Sequence, residues 1–366
     1  MTRVVGHMDL DYFYAQVEEV EDPSLKTKPV LVCVFSGRTE DSGVVSTANY
    51  RARELGIHSG MPITVAKKKL EGKGSALIRM DRGKYEAVSS RIMEKVGKMV
   101  NVLEPRGIDE AFFDATSSTG GDFARARELA EAIRMAIYQS EGLTCSIGIG
   151  RSKVVAKLGS DSSKPDGMTV VFPQDTETFL GRFSVSKIYG IGPMTASALG
   201  EMSVVTVADL AKVIPSELEK RFGRKMGGYL LAAAKGTDDD PVVGGLEPTQ
   251  FSRIITLRRD TRNPEEIISQ LSTGIRFVHG RLAASAKVCR TVSAIGILTN
   301  LATKTRSKTF ETPVEDERVI RETTFGLFQE LSRSVELDFR RVGVRVAGLS
   351  SVEDQRSLSE YVGNVR

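Results

Sequence analysis

Two pairs of acids set inside otherwise apolar runs restrict this chain more than any other feature. Asp9 and Asp11 stand in VVGHMDLDYFY, and Asp109 with Glu110 in GIDEAFFD. A carboxylate enclosed by Val, Met, Leu, Ile and Phe is costly unless a cation or a set of donors meets it. The fold therefore has either to bring compensating charge to both segments, or to leave the acids at strand ends facing solvent or pairing with arginine. Asp9 and Asp11, two apart, share one face of a regular strand. Adjacent Asp109 and Glu110 take opposite faces unless a bulge or turn re-aims one of them. With the two segments as neighbours, Asp9 and Asp109 could bridge two hard cations, Mg²⁺ or Mn²⁺, about 3.5–4 Å apart, as in two-metal phosphoryl transfer. Three His, three scattered Cys and no CxxC support neither a zinc site nor a disulfide framework.

The segments around these acids alternate. VVGHMDL reads as a strand, AQVEEV as the start of a helix and PVLVCVF as an interior strand, a β-α-β opening. Val88, Ile92, Val96 and Met99 place an apolar stripe on a helix over 84–99, and a second helix is predicted over 122–140. LTCSIGIG is a Gly-punctuated strand running into SKVVAKLGSD. This order predicts an α+β sheet with helices on one side. From about residue 175 two Gly-bearing helix-turn-helix segments, 188–202 and 218–236, form a small helical unit. TDDDPVVGG then breaks both patterns and reads as a linker. The last domain reads strand, helix, strand, strand, helix, strand, with helices over 267–284 and 316–335.

At 366 residues the chain should form two to four packed units, and 40% hydrophobic with 27% charged residues fits an ordinary globular protein. The net charge of +4 says little, but residues 245–310 hold 11 basic and 4 acidic side chains. Such a segment suits a phosphate backbone, or is simply a soluble basic surface. Cys33, Cys145 and Cys289 are expected as free thiols in a reducing compartment. The N-terminus acquires two acids within eleven residues and has no long apolar run, so a cytoplasmic protein away from membranes is expected.

Tyr50 and Arg53 share a face of a helix that opens after STAN, Lys153 and Lys157 share another, and Lys164 follows in SKPDG. Together they could hold a triphosphate; singly they are ordinary surface cations. One ring of the run Tyr12, Phe13, Tyr14 must face roughly as the acids do, to police what sits over them or to pack a core. Gly190 and Gly192 suit a helix-hairpin-helix turn offering backbone N–H groups to a phosphate, or a tight structural turn.

On these residues the chain closely resembles the Y-family translesion DNA polymerases, in the archaeal branch related to polymerase IV. The matches are DLDYFYAQVEE (9–19), VCVFSGRTEDSGVVSTANYRAR (32–53), GIHSGMP (56–62), GIDEAFFD (107–114), SIGIGRSKVVAK (146–157), SKPDG (163–167), IYGIG (188–192) and RRVGVRV (340–346). The resemblance implies an α+β multidomain right hand. Its palm would be 1–18 and 76–168, fingers 19–75, helical helix-hairpin-helix thumb 169–236, linker 237–244, four-stranded α+β little finger 245–350 and tail 351–366.

The implied activity is low-fidelity, template-directed DNA synthesis without proofreading, able to pass damaged bases, with two Mg²⁺ ions or Mn²⁺ per site. By motif match the catalytic carboxylates are Asp9, Asp109 and Glu110, with the Leu10 backbone carbonyl completing the metal shell. Tyr14 matches the steric gate against a ribose 2′-OH. Tyr12, Tyr14, Thr47, Tyr50, Arg53 and Lys164 match the dNTP site, and Asp11 falls to a supporting role. Gly190, Gly192, Arg253, Arg258, Arg259, Lys304, Arg306 and Lys308 are the expected DNA-backbone contacts. The implied partners of a monomer are primer-template DNA and dNTP. A sliding clamp stays open as a partner, although the tail 352–366 lacks the glutamine, aliphatic and paired-aromatic spacing of a clamp peptide. Gly107 stands where the family usually has Ser. A nucleotidyl cyclase would share the paired acids but needs neither the helical unit nor the basic last domain. A scaffold relative without catalysis would typically lack one of the three carboxylates, and all three are present.

Overall fold

The computed structural model describes residues 1–245 and 247–351, so the expectation about the tail 352–366 lies outside the described residues. The chain divides into two units. The first holds 1–35 and 43–246; the second holds 36–42 and the chain from 247 onward. Residues 36–42, expected within the fingers segment, thus group with the second unit.

In the first unit β1 (Val5–Leu10) leads into α1 (Phe13–Glu21), β2 (Val30–Phe35), β3 (Gly43–Ala48), α2 (Tyr50–Glu54), α3 (Ile63–Leu70) and β4 (Ala76–Arg79). There follow α4 (Arg82–Gly97), β5 (Val102–Pro105), β6 (Glu110–Asp114), α5 (Thr116–Thr119), α6 (Phe123–Glu141), β7 (Cys145–Gly150), α7 (Lys153–Ser162) and β8 (Met168–Val170). The order β5-β6-β1-β7-β8 makes one sheet and β3-β2-β4 a smaller one. β1 pairs antiparallel with β6, Asp9 opposite Glu110, so the two acidic segments are neighbours.

The apolar face of the larger sheet, Met8, Leu10, Ala111, Phe113, Ile147 and Ile149, packs with Tyr85, Ile92 and the α6 stripe Ala126, Ala130, Ile133 and Ile137. The expectation of helices on one side is corrected by α7, which lies on the other face, where Ala156 packs with Val5 and Phe112. Glycine makes this approach possible. A Cβ on Gly148 would stand 1.9 Å from the Ala156 carbonyl oxygen, so only a bare backbone lets α7 come this close to β7.

The helical segment holds α8 (Thr176–Gly181), α9 (Pro193–Glu201), α10 (Val207–Leu210) and α11 (Pro215–Ala234), around a core that includes Leu199, Leu210, Leu218 and Leu230. Gly223, at φ 79°, kinks α11. In the second unit β9 (Gln250–Thr261), α12 (Pro264–Ala284), β10 (Lys287–Leu298), β11 (Thr303–Val314), α13 (Glu317–Arg333) and β12 (Phe339–Ser351) follow the predicted order, in a sheet β11-β10-β12-β9. Cys33, Cys145 and Cys289 are free and buried. No helix among the described residues is long and apolar enough to cross a membrane.

Candidate active site

A cavity of about 330 Å³ opens where the larger sheet meets α1, β3 and α2. It is lined by Asp9, Leu10, Tyr12, Phe13, Tyr14, Ser46, Thr47, Tyr50, Arg53, Ser59, Ile108, Asp109 and Lys164. Every residue expected to bind metal or dNTP is on that wall except Glu110, which by register shares the Asp9 face of the sheet and is met there by Lys157. A larger cavity of about 720 Å³ in the second unit, between α12 and α13, has no tyrosine on its wall and none of these acids.

Asp9 sits one residue from the end of β1, and Asp109 in the bend just before β6, where its carbonyl accepts from Leu10 N–H at 2.8 Å. Lys164 Nζ meets Asp9 Oδ2 at 2.7 Å and Asp161 Oδ1 at 3.0 Å. Burial pushes the Asp9 carboxyl up to about 6 against the pull of Lys164, and burial raises Asp109 too, with Glu110 adding to it. Glu110 is the opposite case. His7 beside it and Lys157 Nζ at 2.7 Å, against an opposing push from burial, hold it down to about 2. His7 is fully buried, its Nδ1 2.7 Å from Ser160 Oγ of α7, and burial lowers its own pKa.

Among the described residues no three His, Cys, Asp or Glu side chains are gathered tightly enough to hold a metal ion. Ammonium groups take that place, Lys164 on Asp9 and Lys157 on Glu110. The donor chemistry fits a hard divalent cation, since two enclosed carboxylates resist ionisation and only oxygen ligands face the cavity.

The two acids of β1 part company. β1 ends at Leu10 and Tyr12 takes a left-handed φ of 34°, so Asp11 turns into the interior rather than sharing the Asp9 face. There its carboxylate accepts from Ser146 Oγ, Thr144 Oγ1 and Asp166 N–H, each at 2.8 Å, pinning the loop that carries Lys164. Across the cavity Asn49 caps α2, accepting from Ala52 N–H, and donates to Glu19 at 2.7 Å. Glu19 also receives the Tyr12 hydroxyl at 3.0 Å, so one buried acid ties the start of α1 to the helix bearing Tyr50 and Arg53. The Tyr12 and Tyr50 rings meet edge-on at 5.2 Å, and Arg53 lies 4.9 Å over Tyr50.

Sequence reasoning overlooked His7, Glu19 and Tyr85. His7 stands two before Asp9, so strand alternation could have placed it near the acids. Tyr85 is three before Val88 on the recognised stripe. Glu19 had no signal beyond lying in a helix.

Gly190, at φ 85°, and Gly192, which precedes α9, form the turn of the helical segment. The six basic residues expected at the DNA backbone lie on the two edge strands of the second unit, Arg253, Arg258 and Arg259 on β9 and Lys304, Arg306 and Lys308 on β11. Pairing rows put Arg253 and Arg306 level with Ala294 and Val344, on the helix-bearing face. There Arg253 lies over Phe277 of α12 and Arg306 reaches Ser334 at 3.2 Å. Lys304 and Lys308 share that face by register, and Arg345 takes the opposite one.

The Asp9 shift predicts a stability cost. A carboxyl whose folded pKa is raised penalises the fold above about 6, and the penalty fades as pH falls from 6 toward 3.8. Asp9→Asn should therefore stabilise the metal-free protein at pH 7.5 by about 2–3 kcal/mol. The gain should shrink toward pH 4.5, and added Mg²⁺ should close it by stabilising only the wild type. Thermal melts of both proteins in chelator and in Mg²⁺ check this, His7 titrating alike in each; a pH-independent gap would refute it.

The family model described as impB/mucB/samB matches residues 8–161, its C-terminal domain model 248–359, and a thumb-domain model described for DNA polymerase-iota 186–238. The chain is 43% identical to the DNA polymerase IV of Methanosarcina acetivorans, over 99% of this chain and 100% of that protein. It is 38% identical to that of Nitrosopumilus maritimus, over 98% and 99%. Among solved structures it is similar to a Y-family DNA polymerase chimera of Dbh and Dpo4, with TM-score 0.89 and 33% identity over 95% of this chain and 99% of that one. An insertion ternary complex of Dbh DNA polymerase gives TM-score 0.68 at 33% identity over the same shares.

Proposed function

The chain belongs to the Y-family DNA polymerases, in the archaeal polymerase IV branch of the impB/mucB/samB family, and from that premise we propose how its residues divide the work. It is a template-directed, damage-tolerant DNA polymerase of a family that lacks proofreading exonuclease domains. We assign the palm to 1–18 and 76–168, the fingers to 19–75, the thumb to 169–236, the linker to 237–244 and the little finger to 245–350.

In this reading Asp9, Asp109, Glu110 and the Leu10 carbonyl would hold two Mg²⁺ or Mn²⁺ ions, which would supply charge stabilisation to an in-line displacement. The primer 3′-oxygen forms a bond to the α-phosphorus as the bond to the β-phosphate oxygen breaks, pyrophosphate leaves and the hydroxyl proton passes to water. The chain's own part is placement and charge. Lys164 exchanges Asp9 for a phosphate oxygen, Arg53 and Tyr50 donate to the triphosphate from α2, and Tyr12 and Tyr14 line the sugar side. Ser46 and Thr47 roof the base with small side chains, which leaves room for a damaged template partner. The Gly190–Gly192 turn and the edge-strand cations of the second unit would grip the DNA backbone without reading sequence.

The observation that carries this reading is the single wall shared by Asp9, Asp109, Tyr14, Tyr50, Arg53 and Lys164. Primer extension with single dNTPs and Mg²⁺, on an undamaged template and opposite an abasic site, tests it. Extension with frequent misincorporation and passage of the abasic site is expected. DNA binding without extension in Mg²⁺ or Mn²⁺ would overturn the catalytic assignment.

A further inference from the structure

Lys164 reaches the active-site cavity from the loop between α7 and β8, and a side chain there is only as well placed as the loop that carries it. Two bonds hold this loop from the sheet side. Asp11 Oδ2 accepts from Asp166 N–H at 2.8 Å, and the Gly167 carbonyl accepts from Ile147 N–H at 3.0 Å. Both fall just after Lys164 in the chain, so its backbone is steadied through Asp166. Asp166 itself stands at φ 51°, a left-handed conformation that a residue with a side chain enters at some cost.

A third grip comes from α6. Arg134 Nη2 donates to the Asp166 carbonyl at 2.5 Å and to its Oδ1 at 2.6 Å. Two acceptors of one residue held by one guanidinium nitrogen fix both its peptide plane and its side chain. Arg134 follows buried Ile133 and precedes buried Ile137 by three, at the margin of the α6 stripe, so its stem is seated while its head reaches the loop. Beyond it lies a cavity of about 300 Å³ with Arg134, Thr144 and Asp166 on its wall, which gives the loop space to move into on that side. Thr144 donates to Asp11 Oδ2, the same oxygen that takes Asp166 N–H. One hydrogen-bonded network therefore joins this outer cavity to the loop bearing Lys164.

We propose that Arg134, which lies outside the active-site cavity, is a positioning residue for the incoming nucleotide, acting through Asp166 on Lys164. The inference rests on Lys164 being a triphosphate ligand. In the free protein the ammonium of Lys164 is held by Asp9 and Asp161. Once it exchanges Asp9 for a phosphate oxygen, its placement depends more heavily on the backbone beneath it. A loop able to shift by about an ångström spreads that charge over several positions and weakens each contact. The Arg134–Asp166 pair is itself partly in water, with side chains 22% and 57% exposed, so it adds little to the stability of the fold. Its loss should be felt in nucleotide binding and not in melting.

The test is single-turnover extension on saturating primer-template, read as the apparent dNTP Kd and the maximal rate, with DNA affinity and thermal melting measured beside it. The variants are Arg134→Ala, Arg134→Lys, Asp166→Gly, Lys164→Ala and the Arg134→Ala/Lys164→Ala double variant. Arg134→Ala should raise the apparent dNTP Kd about fivefold, with the maximal rate within about twofold and DNA affinity and melting close to wild type. Arg134→Lys, which keeps a cation beside the loop, should recover part of that loss. Asp166→Gly removes the carboxylate yet accepts the left-handed φ, so it should weaken dNTP binding about twofold and covers the case where alanine at 134 disturbs the fold. The double variant should match Lys164→Ala because the two act in series. Wild-type dNTP binding in folded Arg134→Ala and Asp166→Gly, beside a Lys164→Ala that has lost it, overturns the proposal and spares Lys164. A double variant in which the two losses multiply, or a loss of DNA affinity and melting temperature in step with nucleotide binding, overturns it as well. Unchanged dNTP binding in Lys164→Ala removes the triphosphate assignment itself.

Discussion

Asp109→Ala is expected to slow nucleotide addition by at least about a thousandfold, some 4 kcal/mol of transition-state stabilisation, while DNA binding stays within about tenfold. Asp109 stands in the bend before β6 and borders the cavity with Asp9 and Lys164. Its backbone, not its side chain, ties the bend to β1 through the 2.8 Å bond from Leu10 N–H, and alanine keeps that bond. Burial opposes ionisation of the carboxyl, so its removal should leave folding unharmed. What disappears is one of the two acids on the cavity wall able to draw a divalent cation to the reacting phosphate. Single-turnover extension with saturating primer-template, beside a DNA-binding titration, separates chemistry from affinity. Turnover at the wild-type rate would remove Asp109 from the catalytic set, and parallel loss of DNA binding and melting temperature would recast it as structural.

The cavity wall was legible because its parts are local. Alternation in VVGHMDL marked β1, the acids stood out against apolar neighbours, and Tyr50 and Arg53 were readable as one turn of helix. Asp11 misled the face argument because a two-residue period holds only while the strand lasts, and β1 stops at Leu10. The place of α7 on the opposite face was written in Gly148, but a glycine within a strand signals a close approach without saying which element approaches. Tyr85 illustrates the deeper limit. Helical periodicity assigns it to a buried stripe, yet its contact with Tyr14 spans 71 positions and depends on how α1 and α4 pack. The basic surplus of the second unit was visible as composition, whereas the place of Arg253, Arg258, Arg259, Lys304, Arg306 and Lys308 on two edge strands required the sheet order. Edge cations also guard open strands against pairing with another chain, a role compatible with holding DNA. The counter-ions Lys157 and Lys164 were found as cations, but pairing them with Glu110 and Asp9 needed three-dimensional contacts.

Tyr14→Ala is expected to lower discrimination against ribonucleotides by about 10²-fold while the rate with dNTPs falls far less. Forcing one extra atom into a closely packed site costs about 1–3 kcal/mol, and a gate held rigidly should stand at the upper end of that range. At 1.36 kcal/mol per decade, 3 kcal/mol corresponds to somewhat more than a hundredfold. The rigidity comes from the stack on Tyr85 behind and from α1, whose first turn carries the ring beside Asp9 and Asp109 at the cavity. Removing the ring leaves the carboxylates, Arg53 and Lys164 in place, so binding of the triphosphate should survive and the gain should fall on the rNTP alone. Tyr14→Phe separates ring from hydroxyl. Exclusion by bulk predicts that phenylalanine retains nearly all of the discrimination, whereas exclusion through the tyrosine hydroxyl predicts that it behaves like alanine. Competition between labelled dNTP and rNTP on one primer-template reads the ratio directly. An alanine variant that still rejects ribonucleotides as well as wild type would move sugar selection off Tyr14, leaving Tyr12 and Phe13 as the remaining aromatic residues on the cavity wall close enough in sequence to take it over.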